Sequence, residues 1–401
     1  MSYHFSSRMA SLSGTATREI FKLLTRPEII SFAGGLPANE FLPVEDVAQI
    51  TAEILASDTA RKILQYGVTD GLLPLREILT AYVEDVGIQD AALDNTLVIS
   101  GGQQGIDLMC KTFLDKGDVV LVEDPTYLAI LQIFNAYEAK AVGVKTVKDG
   151  LDLDDLEQKM IQLKPKFLYV VPTFSNPTGK TYSASNRKSI AQLASKYHIP
   201  VLEDDPYGKL RYSGEEVPAL KAFDTSGHVV YISSFSKILS PGLRTGVAIG
   251  APEIIRKMSI GKQGTDLHTS NLSQAVTYEY LKRGKLYPNI EKAVPMYRER
   301  RDAMLGALEK YMPDEFIYTR PEGGLFIWGE FPVGIDTVKI FPEAVGQNVA
   351  YIQGQVFYAD GKGLNTLRLN FSTEPPERIE KGIKILGKLF KQKLSDAKNQ
   401  I

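Results

Sequence analysis

From about residue 95 to residue 250 the chain alternates short apolar runs with longer stretches of helical period. TLVIS (96–100), DVVLVE (118–123), AKAVGVK (139–145), KFLYVVP (166–172), IPVLEDD (199–205), HVVYIS (228–233) and GVAIG (246–250) are largely β-branched, aromatic or otherwise apolar and read as strands. GIDLMCKTFLDKG and ASNRKSIAQLASKYH, between some of them, repeat apolar positions every three or four residues and read as helices. Strands that are apolar throughout, rather than alternating, are buried on both faces. The pattern therefore predicts an α/β domain with a mostly parallel, seven-stranded sheet flanked by helices. Upstream, TATREIFKLLTRPEI predicts a short amphipathic helix ending near Pro27, and ISFAGGLPANEFLP a Gly/Pro-rich loop through which backbone can approach a ligand. VEDVAQITAEILASD and LLPLREILTAYVEDVG follow as helices, with Tyr66 in the loop between them. After about residue 290 a long charged helix, NIEKAVPMYRERRDAMLGALEKYM, leads into FIYTRPEGGLFIWGEF, VAYIQGQVF, TLRLNFS and a C-terminal helix. The expected division is an N-terminal helix and loop (1–40) packed on the small domain, a large domain (41–290) and a small α+β domain (291–401).

Composition narrows the function classes. The 401 residues are 44% hydrophobic and 23% charged, ordinary for a globular protein large enough for more than one domain. A net charge of −2 gives no general attraction to nucleic acid or to an anionic membrane. The single cysteine, Cys110, lies in the apolar run DLMCKTFL and reads as a core residue, which suits a reducing, cytoplasmic compartment. MSYHFSSRMASLSG lacks the apolar segment of a signal peptide, and no uncharged apolar run reaches the length of a membrane span. The RERR run (298–301) reads as an exposed helix face, and Trp328 as filling the small-domain core.

The candidate chemistry collects just after strand ends, where open α/β sheets bind ligands. In SSFSKILSPGLRTG, Lys237 stands beyond a strand with Ser234 and Ser236 before it and Arg244 one loop later. An amine can form a Schiff base with a carbonyl compound, and hydroxyls with a guanidinium can hold a phosphate dianion. Asp204, in VLEDDPYGKL, ends a buried strand, where a carboxylate needs a partner; a protonated pyridine nitrogen would be one. Tyr207 and Asn176 (in PTFSNPTG) can donate to a phenolate-like oxygen. ISGGQQGIDL puts glycines at a strand-to-helix junction, the setting of a phosphate site. Taken singly, NPTG is a turn and a glycine-rich junction is a weak signal.

Taken in order, GGQQG, PTFSNPTG, EDDPY, SSFSKILSPGLRTG and LRLNFS resemble the class I aminotransferases, pyridoxal-phosphate enzymes of fold type I. The resemblance runs from SFAGGLP to LRLNFS and is nearest the subgroup of 2-aminoadipate, kynurenine and aromatic aminotransferases. It implies pyridoxal 5′-phosphate as cofactor and a transfer of the amino group of an L-amino acid to a 2-oxo acid, 2-oxoglutarate foremost, by a ping-pong mechanism. Its catalytic residues would be Lys237, which carries the cofactor and then moves the proton, Asp204 at the pyridine nitrogen, and Tyr207, which with Asn176 bonds the 3′-oxygen. Tyr127 would stack on the ring. Gly102, Gln103, Ser234, Ser236 and Arg244 would hold the phosphate, and Tyr66 would reach the phosphate of a neighbouring subunit, so a homodimer with active sites at its interface is implied. Arg368 would grip the substrate α-carboxylate, near Asn176 and with Gly35 lining the substrate loop, and Arg18 could meet a distal carboxylate. Many relatives have serine where Gly102 stands, which removes one phosphate hydroxyl. Two other readings share these motifs: a transcription regulator with an aminotransferase-like domain, disfavoured because SFAGGLP begins near residue 31 and leaves no room for a winged-helix module, and a β-lyase on the same fold.

Overall fold

All seven expected strands form, and they share one sheet. Its order across the sheet is Thr96–Ile99, Gly246–Ile249, Val229–Ser234, Val201–Asp205, Phe167–Val170, Val119–Asp124, Lys140–Val147 and Gly150–Leu151. The computed structural model describes residues 3–10 and 26–398, so Arg18 and nearly all of the helix expected around it lie outside the described residues. The eighth strand is the surprise: Gly150–Leu151 turns back antiparallel onto Lys140–Val147. Two residues carry no periodicity, so the pattern of the chain predicts seven.

The five strands from Val229–Ser234 to Lys140–Val147 pair in parallel. Gly246–Ile249 runs antiparallel to both of its neighbours. Every residue of Phe167–Val170, Val201–Asp205 and Val229–Ser234 is buried. Alternate side chains go to opposite faces: Phe167 and Tyr169 join one core with Ile106 and Met109, and Leu168 and Val170 join another with Met160 and Ile190. That two-sided burial is why these strands read as unbroken apolar runs.

The helix Gly102–Phe113 lies close on the sheet because Gly105 has no side chain. A Cβ there would stand 2.9 Å from Ile99 Cδ1 and 3.0 Å from Ile232 Cγ2. A four-stranded antiparallel sheet is built from Ile317–Tyr318, Phe326–Glu330, Thr366–Asn370 and Ile352–Gln353, with Arg368 opposite Trp328 and Ile352. Trp328 is buried with its ring edge-on to Phe357. Ile30–Ser31 pairs in parallel with Val349–Ala350, tying the N-terminal segment to the C-terminal part of the chain.

The RERR run corrects one expectation. Arg300 and Arg301 are buried, not exposed. Arg300 donates to Glu40 Oε1 at 2.9 Å and to the Ser372 carbonyl; Arg301 donates to the Pro321 carbonyl and to Ser213 Oγ, both at 3.1 Å. Their positions follow from helical spacing. Residues 297, 300, 301 and 304 share one face, and buried Tyr297 and Met304 carry the arginines inward with them.

Overfilling the contact at Gly105 tests this packing. Gly105→Val is expected to destabilise the protein by about 1–3 kcal/mol, the usual cost of extra methyl groups in a packed core, measured as a lower denaturant midpoint at unchanged m-value.

Candidate active site

The carboxyl ends of the parallel strands deliver the site. Asp204 is the penultimate residue of Val201–Asp205, Ser234 the last of Val229–Ser234, and Lys237 follows three residues on. Asn176 stands in the loop after Phe167–Val170, and Gly102 and Gln103 open the helix that follows Thr96–Ile99. Tyr127 is the N-cap of Leu128–Ala136. From the other sheet comes Arg368, and from the N-terminal segment the loop Ala33–Leu36. Together they enclose a cavity of about 320 Å³, the size of a small-molecule site.

Charge in this cavity is unbalanced. Among the described residues lining it the cations are Lys237, Arg244 and Arg368, against one carboxylate, Asp204. Burial, helped by the charges of Arg244 and Arg368, brings the Lys237 amine down to about 8. Its Nζ donates to the Gly35 carbonyl at 2.7 Å. A lysine so lowered is available as a neutral nucleophile and base near neutral pH. Burial pushes Asp204 up to about 7, opposed by the Tyr169 hydroxyl, which donates to its Oδ2 at 2.9 Å. A buried carboxylate held by one neutral donor is suited to a cationic N–H partner. Burial also raises the phenols of Tyr127 and Tyr207, so both stay neutral donors.

Arg368 is buried and clamped. Its Nη1 donates to Asn176 Oδ1 at 2.8 Å and its Nη2 to the carbonyls of Ala33 and Gly34 at 2.7 and 3.2 Å. Its guanidinium lies over the Phe326 ring, 4.2 Å from the centroid, and that ring is edge-on to Tyr207. Its Nε is buried and finds no partner among the described residues.

A second anion-binding corner lies at the helix start. Gly101 caps the helix with φ +83°, and a Cβ there would stand 2.5 Å from Arg244 Nη2. Glycine thus lets the guanidinium lie against the turn, where Nη2 donates to the Ser100 carbonyl at 3.0 Å and Nη1 to Ser236 Oγ at 3.4 Å. The free N–H groups and dipole of the helix Gly102–Phe113 point the same way. Hydroxyls, a guanidinium and a helix N-terminus form a donor set for a phosphate dianion. Beside it stand the lysine amine and a carboxylate short of a cation, so the residues fit a phosphorylated pyridine aldehyde.

The cavity brings together Gly35, Gly102, Gln103, Tyr127, Asn176, Asp204, Tyr207, Ser234, Ser236, Lys237, Arg244 and Arg368. Tyr66 is not among them: it is exposed, with its ring edge-on to His268 at 6.2 Å. Arg18 lies outside the described residues. Tyr169, Phe326 and Leu36 also line the cavity and were not singled out by the sequence pattern. Tyr169 sits in an apolar strand and Phe326 opens another, where an aromatic residue ordinarily means core.

This arrangement has close counterparts. The family model described as aminotransferase class I and II matches residues 28–386. The chain belongs to the class I and II aminotransferases. It is 42% identical over 396 residues to aromatic-amino-acid aminotransferase 1 of Thermococcus litoralis, covering 98% of this aminotransferase and 95% of that one. The solved Pyrococcus horikoshii kynurenine aminotransferase, in complex with PMP, superposes with a TM-score of 0.93 at 44% identity, over 97% of each chain. LysN, the α-aminoadipate aminotransferase of Thermus thermophilus, solved with N-(5′-phosphopyridoxyl)-L-leucine, gives a TM-score of 0.90 at 37% identity over 98% of each chain.

Two outcomes follow for this aminotransferase. Burial holds the acids Asp204, Glu203 and Glu123 at about 7, 7 and 8. Between the ordinary carboxylate range and those values the folded protein keeps protons that the unfolded chain gives up. This stabilisation is full at acid pH and is lost as pH rises through the raised values. The thermal midpoint of cofactor-free protein is therefore expected to fall between about pH 5.5 and about pH 8, and Asp204→Asn to make that fall shallower, by calorimetry at matched ionic strength. Gly102 does not have positive φ, and a Cβ there would meet only Asp204 Oδ1, at an ordinary 3.5 Å. Gly102→Ser is expected to fold with unchanged stability and to bind pyridoxal 5′-phosphate about tenfold more tightly through one added hydrogen bond, by equilibrium dialysis.

Proposed function

We propose that this aminotransferase moves the amino group of an L-amino acid, 2-aminoadipate, aromatic or aliphatic, to 2-oxoglutarate by a ping-pong mechanism, with pyridoxal 5′-phosphate as its cofactor. One observation carries the reading: a lysine amine lowered to about 8 shares a cavity with a cation-seeking carboxylate, an anion-binding corner and a second buried arginine. Bound there, the cofactor supplies an electron sink for the charge left on the substrate α-carbon. Lys237 would hold it covalently and, once released, its Nζ would move the proton between the substrate α-carbon and the cofactor C4′. Asp204 pairs with the ring nitrogen, and Asn176 and Tyr207 donate to the ring oxygen. Tyr127 packs on the ring face. Gly102, Gln103, Ser234, Ser236 and Arg244 hold the phosphate.

Arg368 binds the α-carboxylate of both substrates, and Gly35 lines the loop above it. Leu36, Leu128, Ala129 and Phe326 make an apolar wall, which supports aromatic and aliphatic side chains. A distal carboxylate needs a further cation, a role proposed for Arg18. Exposed Tyr66 supports a homodimer in which it reaches the partner's phosphate corner. Segments 1–40, 41–290 and 291–401 are proposed as N-terminal segment, cofactor domain and small domain, in a cytoplasmic enzyme. Among the described residues no helix is long and apolar enough to cross a membrane.

An amino-donor panel with 2-oxoglutarate, followed by glutamate release, tests the reading. Aromatic or aliphatic donors and 2-aminoadipate are expected to yield glutamate. A protein that binds the cofactor yet releases none with any donor would overturn it. Lys237→Ala is expected to lose turnover together with the absorption band of covalently held cofactor; a retained band would reject the role of Lys237.

A further inference from the structure

Glu123 stands near the end of the strand Val119–Asp124, is 2% exposed, and takes no part in the chemistry above. Its two oxygens meet three donors. The hydroxyls of Tyr182 and Ser175 donate to Oε1 at 2.7 and 3.2 Å, and the Val171 backbone N–H donates to Oε2 at 3.1 Å. Those three residues mark the start, the crest and the end of one loop, which runs from the strand Phe167–Val170 towards the helix Ala184–Tyr197.

The loop closes on itself. The Ser175 N–H donates to the Lys180 carbonyl at 2.9 Å and the Tyr182 N–H to the Pro172 carbonyl at 2.8 Å. Those bonds fix its shape but not its tilt against the sheet. Tilt matters because Asn176, beside Ser175, meets Arg368 at 2.8 Å. A buried carboxyl group loses much when its donors leave, so each of the three contacts resists movement of the loop.

We propose that Glu123 is a positioning residue of the active site: one carboxyl group fastens residues 171, 175 and 182 to the neighbouring strand and so sets where Asn176 stands against Arg368. The inference rests on the reading of Asn176 given above, as a contact to the cofactor ring oxygen.

Glu123→Ala and Glu123→Gln holoenzymes test it. Glutamine keeps the volume, and with its amide turned it accepts from the Val171 N–H and donates to both hydroxyls. In Glu123→Ala, hydrogen exchange over residues 172–181 is expected to quicken while the Val229–Ser234 strand keeps its protection. The same variant is expected to lose on the order of tenfold in kcat/KM, the size of a lost buried hydrogen bond. Glu123→Gln is expected to restore both. Added to Asn176→Ala, Glu123→Ala is expected to cost little more, because the two act at one point. Should the alanine variant fail to fold, Tyr182→Phe removes one of the three ties and is expected to loosen the same segment to a smaller extent. Unchanged loop exchange in these variants, or a full further loss in the Asn176→Ala background, would overturn the proposal. An active Asn176→Ala variant would instead reject the role of Asn176, while exchange over the loop still reports on Glu123.

Discussion

The carboxylate of Asp204 ends a central strand with the Tyr169 hydroxyl as its hydrogen-bond donor, and burial works against its charge. Around it three cations share a small space, and their mutual repulsion adds to burial in lowering the one that can give up a proton, Lys237. Arginine cannot shed its proton in this range, so Arg244 and Arg368 remain positive and attract anions. The cavity thus offers two permanent cations to anionic groups and one buried carboxylate to a cationic one. On the proposed function, a cofactor phosphate, a substrate carboxylate and a pyridinium nitrogen would answer those three demands together.

The lack of a side chain at single positions makes this crowding possible. Gly101 admits the Arg244 guanidinium to the start of a helix, and Gly105 admits the whole helix to the sheet. Phe326 fills the space between Arg368 and Tyr207, so a cation and a phenol are oriented by one ring. The polar groups at the strand ends are therefore held by packing as much as by hydrogen bonds.

The large sheet could be read from the chain because its central strands are covered on both faces, which leaves continuous apolar runs. Most residues that line the cavity could be read because they stand in short motifs at strand ends. What stayed hidden depends on partners far away in sequence. Tyr169 meets Asp204 across 35 residues and looks like any strand aromatic until that contact is seen. Arg300 meets Glu40 across 260 residues, so a charge run looked like a wet helix face. Glu123 meets Tyr182 across 59, and in VLVED it resembled an ordinary acid at a strand end. Gly150–Leu151 was too short to leave a pattern.

The loop Ala33–Leu36 is anchored on both sides. Before it, Ile30–Ser31 is paired with Val349–Ala350, and the Ser31 N–H is held by Glu374. After it, Ser372 Oγ donates to the Leu36 carbonyl, Tyr297 accepts from the Ala38 N–H, and Arg300 holds Glu40. Such a segment behaves as a short bridge on two fixed abutments. It can bow by turning a few peptide planes, but it cannot travel as a flap would. The peptide planes between the abutments carry the carbonyls that Arg368 and Lys237 hold, so any bowing of this loop to admit a bulky side chain must give up those hydrogen bonds.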